Sequence, residues 1–421
     1  MTRIFSVELP ITKVFSATRR LRKLGESGDN FTQRANLFVA ATLFTLSFLS
    51  YGIDVFLAKE NEGVTVFCYC PAEFPDSRVH YTNYVCFTQG FYYVPFDEEL
   101  PVRNIRRDKD FKERTFNYYP WVTHILILQA VLFCIPRVLW RIGGAREGFQ
   151  HTVCLDALDN DMFERKDDDD NGRKINEDAM TRIENYVRRY INLRESVIYH
   201  TDITSLLPSG YRYTVLFIVT EFLMVFNSIS QFYLLQFLLG IDFINFGIDY
   251  LSNMPNILMA ETNRFPREAF CDLTVRQQIN VQTYTVQCSL PSNMINEKIF
   301  LLVWVMLFCV SVLNIVSLAY QVTSIKGMRS KAIEEINSYQ LRKSFQTEST
   351  RSMMNVNRFV CECLKLDLLL FLWQLKQSHK PIIYDVMFRL WDRYSHEEDG
   401  EAPEKSEPES KDSHISYHST I

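Results

Sequence analysis

The chain has 421 residues, 45 Lys and Arg against 50 Asp and Glu, and a formal net charge of -5. That balance excludes a strongly basic nucleic-acid binder, so no nucleic-acid partner is expected. The mean hydropathy of -0.09 looks soluble only as an average, because the apolar residues are gathered into four runs and the charges lie between them.

Residues 1–34 are largely polar and basic, without an early short apolar stretch, so no cleavable leader is expected. The first apolar run spans 35–57 and holds one acid, Asp54, near its end. The second (121–140) carries Arg137 and His124, the third (213–239) only Glu221, and the fourth (299–320) no charge. A hydrocarbon core about 30 Å thick is crossed by about 20 apolar helical residues. In lipid each backbone amide must be satisfied within its own segment, so each run is predicted to be a membrane-spanning helix. The lipid bilayer is thus the first expected partner, and the expected fold class is an all-α membrane protein.

Four spans put both ends of the chain on one side. Arg19, Arg20, Arg22, Lys23 and Arg34 precede the first span, Arg137, Arg141 and Arg146 close the second, and Lys326, Arg329 and Lys331 follow the fourth. This bias places both termini and the middle loop in the cytoplasm. The basic stretch within 100–119 runs against it, although Asp108, Asp110 and Glu113 partly offset that charge. The expected organisation is a first outer loop at 58–120, a cytoplasmic loop at 141–212, a second outer loop at 240–298 and a cytoplasmic helical tail at 321–395. A Glu-, Ser-, Lys- and Pro-rich end at 396–421 is expected to be disordered. Ile183, Val187, Tyr190 and Val197 fall on one helical face in the cytoplasmic loop. Phe359, Cys363, Leu366, Leu370 and Trp373 do so in the tail. Glu362, Lys365 and Asp367 leave the tail stretch too short to cross a bilayer, so a packed cytoplasmic helix is expected there.

Five of the ten cysteines, Cys68, Cys70, Cys86, Cys271 and Cys288, fall in the outer loops, an oxidising compartment where thiols pair. Five is odd, so one is left over. Cys68-x-Cys70 and Cys361-x-Cys363 have the wrong spacing for a structural zinc pair, and no metal is expected. The four adjacent acids Asp167–Asp170 lack the spaced ligands and glycine turn of a calcium loop and read as a solvated segment. There is no phosphate-binding Gly-rich loop, no dinucleotide turn and no His-Glu-x-x-His, so neither enzyme chemistry nor a cofactor is expected.

The residues around these cysteines resemble the innexin family. The first outer loop reads Cys68-Tyr69-Cys70-Pro71-Ala72-Glu73-Phe74, then Cys86-Phe87-Thr88-Gln89 and Tyr93-Val94-Pro95. Tyr118-Tyr119-Pro120-Trp121 stands before the second span, similar to the family's Tyr-Tyr-x-Trp, with Leu128-Gln129-Ala130 and Pro136 beyond. The second outer loop adds Phe265-Pro266-Arg267, Cys271-Asp272, Val286-Gln287-Cys288 and Asn296-Glu297-Lys298-Ile299-Phe300. The resemblance covers about residues 25–325. Cys70 and Thr123 depart from it, Thr123 standing where many members have proline.

The resemblance implies a gap junction subunit in the plasma membrane. A ring of subunits, octameric and homo- or hetero-oligomeric with other innexins, would surround a wide pore and dock with a ring on the adjacent cell. It implies disulfides joining Cys68 to Cys288 and Cys86 to Cys271. The sequence alone permits three pairings of these four cysteines, and a switch using Cys70 in place of Cys68 is the competing arrangement. By the same analogy Thr2, Arg3, Phe5 and Glu8 enter the pore mouth and Lys59, Glu60 and Glu62 line the pore, against solvated-terminus and exposed-loop alternatives. Pro136 is either a hinge or a fixed bend in the second span. Tyr118, Tyr119 and Trp121 are either an interfacial aromatic belt or packing for the docked loops. Ser419-Thr420-Ile421 has the form of an end that adds to a PDZ sheet, although such endings arise by chance.

Two other functions compete. One is an undocked large-pore channel like the pannexins, and the other a four-span adhesion protein like the claudins or tetraspanins. Neither outer loop contains Asn-x-Ser/Thr, so no glycan is encoded that would obstruct docking.

Overall fold

A computed structural model describes residues 30–60, 65–94, 115–148, 181–191, 210–252, 264–343, 356–378 and 380–398. The chain divides into two compact units, Met1–Phe149 with Tyr213–Ser324, and Gln150–Arg212 with Ile325–Ile421.

Among the described residues, four helices are long and apolar enough to cross a membrane: α1 (Phe31–Glu60), α3 (Val122–Arg146), α5 (Arg212–Leu239) and α7 (Pro291–Lys343). Their outward faces distinguish them from helices of a soluble core. Phe38 on α1 is 67% exposed, and Phe226 on α5 and Val316 on α7 are each 61% exposed. In water those faces would be polar; against lipid tails they are satisfied. The polar residues point inward instead. Asn36 of α1 donates through Nδ2 to Oδ1 of Asn314 of α7 at 2.8 Å, and Asn314 donates to the Met224 carbonyl of α5 at 3.3 Å. Thr32 and Ser317 share a further hydrogen bond of 3.2 Å. Between lipid-solvated helices the hydrophobic effect gives little drive, so such buried polar pairs hold three spans in register. Pro136 is buried inside α3, which continues unbroken to Arg146.

The loops of this unit build a sheet that the reading of the sequence did not contain. Its five strands are β1 (Phe67–Tyr69), β2 (Phe91–Tyr92), β3 (Thr115–Phe116), β4 (Glu268–Gln277) and β5 (Asn280–Ser289), in the order β1-β5-β4-β2-β3. All pairs are antiparallel. The long β4–β5 hairpin comes from the loop after α5, and the short strands β1, β2 and β3 come from the loop after α1. The two loops therefore share one sheet. Ala269, Cys271 and Leu273 alternate to its buried face. Helix α2 (Asp76–Gln89) covers that face with Thr82 and Cys86. Helix α6 (Phe243–Ser252) buries Phe243, Phe246, Gly247 and Tyr250.

The second unit holds helix α4 (181–191), the last part of α7, a π-helical turn (Phe359–Leu364), α8 (Lys365–Ser378) and α9 (Lys380–Glu398). Ile183 and Val187 are buried on α4, whereas Val197 lies outside the described residues. Arg393 pairs with the buried Glu184 at 3.0 Å. Tyr339 stacks on Phe388 at 4.1 Å and donates to Asp392 at 3.0 Å.

The single tail helix expected around Phe359–Trp373 is instead a π-turn followed by a separate helix, α8. The π-turn ends at Lys365, whose φ of 50° breaks the helix, and the Asp367 amide is taken up by the Gly210 carbonyl at 3.1 Å. The five residues Leu368 to Leu372 are all buried. The run is apolar because it is enclosed on every side, which a one-face helical pattern does not describe.

Candidate functional site

Two disulfides tie the loops to each other. Cys68 of β1 and Cys288 of β5 face each other in the strand register and are bonded, and Cys86 of α2 is bonded to Cys271 of β4. The bonds close chain separations of 220 and 185 residues, so each joins the first loop to the second. The Sγ atoms of Cys68, Cys86 and Cys288 lie within 4.8 Å of one another. Each is consumed in a disulfide, so the cluster offers no thiolate to a metal.

Cys70 is free and half-buried. Burial pushes its thiol above the ordinary value, and a side-chain hydrogen bond with Thr82 pulls back against that shift. Fewer thiolates at neutral pH mean slower alkylation. In the purified protein, maleimide labelling of Cys70 is expected to be slow at pH 7.4. It should rise about tenfold per pH unit up to a midpoint above that of a free thiol, with the site read by peptide mass spectrometry. Fast labelling at pH 7.4 would contradict the burial.

Tyr118 and Tyr119 are buried at the junction between the sheet and α3, with rings stacked at 4.7 Å. The Tyr118 hydroxyl donates to Asn293 Oδ1 at 2.9 Å, and Asn293 Nδ2 donates to the Pro266 carbonyl at 2.7 Å. Burial pushes the Tyr118 hydroxyl well up, so it stays a neutral donor. Phe265 meets Tyr118 edge-on at 5.8 Å, and Phe91 meets Tyr119 edge-on at 5.7 Å. The three aromatics thus divide: the tyrosines are core, whereas Trp121 is 59% exposed, as an interfacial anchor would be. Asn293 escaped the sequence reading because an isolated Asn has no pattern. Its position two residues after Pro291, at the start of α7, was the available signal.

The β4–β5 hairpin turns at Gln278-Ile279, with Gln278 at φ 52° and Ile279 97% exposed. Lys59 is exposed near the end of α1 and Glu60 is its last residue. Thr2, Arg3, Phe5, Glu8, Glu62, Asp167–Asp170, Ser419, Thr420 and Ile421 lie outside the described residues.

Four apolar spans carrying two loops locked together by disulfides into one sheet-and-helix domain define a multi-pass membrane protein of the junctional channel class. The innexin family model matches residues 29–394, and the chain belongs to the innexin family, the gap junction channel subunits. Among curated relatives, Innexin unc-9 of Caenorhabditis elegans is 26% identical over 382 residues, covering 88% of this chain and 94% of that one. Innexin-11 of the same organism is 28% identical over 382 residues, covering 87% and 79%. Innexin-6 is 28% identical over 319 residues, covering 75% and 74%.

Proposed function

We propose that this subunit assembles into an octameric ring with other copies or other innexins and docks through the β4–β5 hairpin onto a ring in the adjacent cell. Both termini and the second unit then lie in the cytoplasm, in keeping with the basic residues that flank the spans. The observation that carries the reading is Ile279. A branched aliphatic side chain almost fully exposed at the tip of a disulfide-anchored hairpin has no covering partner among the described residues, and a second copy arriving from outside would cover it. Preordering by the two disulfides lowers the entropy lost on docking. Work done by such a pore is passive diffusion, for which pore width and lining charge suffice.

Ile279→Asp is expected to abolish docking while sparing assembly. Junctional conductance between paired cells should fall more than about tenfold, since burying an unpaired carboxylate costs several kcal/mol per copy. Single-cell current and surface protein should stay near wild type. Unchanged junctional conductance would exclude the hairpin tip as the docking contact.

A further inference from the structure

The first unit contains a half-open cavity of 490 Å³ between the outer-loop end of α1, the end of α2 and the start of α3, and its lining is chemically two-sided. Phe48, Tyr51, Phe87 and Tyr119 supply aromatic surface, and Asp54 and His124 bring the ionisable groups. Asp54 is half-buried, and its carboxylate meets no hydrogen-bond or ion-pair partner among the described residues. The His124 ring is turned edge-on to Trp121, at 5.6 Å.

We propose that this cavity binds an amphiphile in which an ammonium group is attached to an apolar body. A volume of this size lies within the range of small-molecule sites, and its mainly apolar wall would take the apolar body. Leaving a carboxylate unpaired in such a wall is costly, so the occupant should carry positive charge. Aromatic faces around a single carboxylate are a favourable setting for an alkylammonium. A divalent metal is a poor fit, because calcium takes six to eight oxygen ligands and this lining has one carboxylate. An anionic head is excluded by the Asp54 charge. Both the ammonium headgroup of a lipid and a free amphiphilic amine have the required chemistry.

The test uses the full-length channel in phosphatidylglycerol nanodiscs and radiolabelled decyltrimethylammonium, with decanol as the uncharged counterpart. Saturable binding, one probe per subunit, is expected. Asp54→Asn should weaken it about tenfold or more and leave decanol displacement nearly unchanged. Tyr51→Leu, at an exposed position where folding is not at stake, should weaken probe binding about threefold through the lost ring face. Replacing phosphatidylglycerol by phosphatidylcholine separates the two sources. A lowered probe affinity in wild type but not in Asp54→Asn assigns the site to a lipid headgroup; an unchanged affinity assigns it to free amines. Absence of saturable binding to folded wild-type channel, or equal binding to wild type, Asp54→Asn and Tyr51→Leu, overturns the proposal.

Discussion

Replacing Cys288 by serine is expected to eliminate junctional conductance and to retain most of the protein inside the cell. Cys288 is fully buried, and its bond to Cys68 joins β5 of one loop to β1 of the other. Loss of a native disulfide typically costs about 2–5 kcal/mol, and here the serine hydroxyl would also sit in a core that offers sulfur and aliphatic neighbours. A second effect follows from the sulfur cluster. Once Cys288 is gone, the Cys68 thiolate stands beside Cys86 and can attack the Cys86–Cys271 bond, forming a Cys68–Cys86 or Cys68–Cys271 bond and releasing the other sulfur as thiolate. The single variant should therefore show scrambled disulfides by peptide mapping under non-reducing conditions. The double variant Cys68→Ser, Cys288→Ser lacks the attacking thiolate and should keep Cys86–Cys271 intact, with more protein at the surface than the single variant. Equal scrambling in both would refute the exchange route.

Gly247→Ala should be nearly as harmful, although it adds only one methyl group. Helix α6 crosses α7 so closely at this position that an added Cβ would fall on the indole carbons of Trp304. The indole has little freedom to move aside. Its Nε1 donates to the Ile244 carbonyl at 3.3 Å, its ring stacks on Phe308 at 5.5 Å, and Phe232 meets it edge-on at 6.2 Å. Overpacking of this kind costs about 1–3 kcal/mol. Relief requires α6 to lift, which would uncover Phe243, Phe246 and Tyr250. The expected result is a fall of several degrees in the melting temperature of the detergent-purified protein and reduced surface delivery. The variant Gly247→Ala with Trp304→Leu should recover part of both losses. No recovery in the double variant would show that the glycine matters for another reason, such as backbone freedom.

The four spans were legible in the sequence because hydrocarbon forces a local rule on each of them: about twenty apolar residues, satisfied by their own backbone. The cysteine set was legible as a set, and its context pointed to the innexin family, which the family model and the curated relatives bear out. Particular residues were less legible. Asn36 and Asn314 look like ordinary polar interruptions of apolar runs, and only the crossing of α1, α5 and α7 pairs them. The β4–β5 hairpin turns at Gln278-Ile279, without the Asn-Gly or Asp-Gly that usually announces such a turn. Its strands were hidden further because strand propensity is decided largely by the packing around each residue rather than by the local run.

What the sequence determined by itself was the membrane class, the number of spans, the family and the stock of outer-loop thiols. The spans and the thiols follow from composition and from physics acting within a few tens of residues, and the family from the resemblance of short ordered motifs. What only the tertiary structure decided was how the two loops become one domain. It built a shared five-stranded sheet in which Cys68 meets Cys288, laid α2 on it so that Cys86 meets Cys271, and buried Tyr118 and Tyr119 against Asn293 while leaving Trp121 outside. These are contacts between residues tens to hundreds of positions apart. They form only when packing brings separate elements together, and no local pattern encodes which partner each residue will meet.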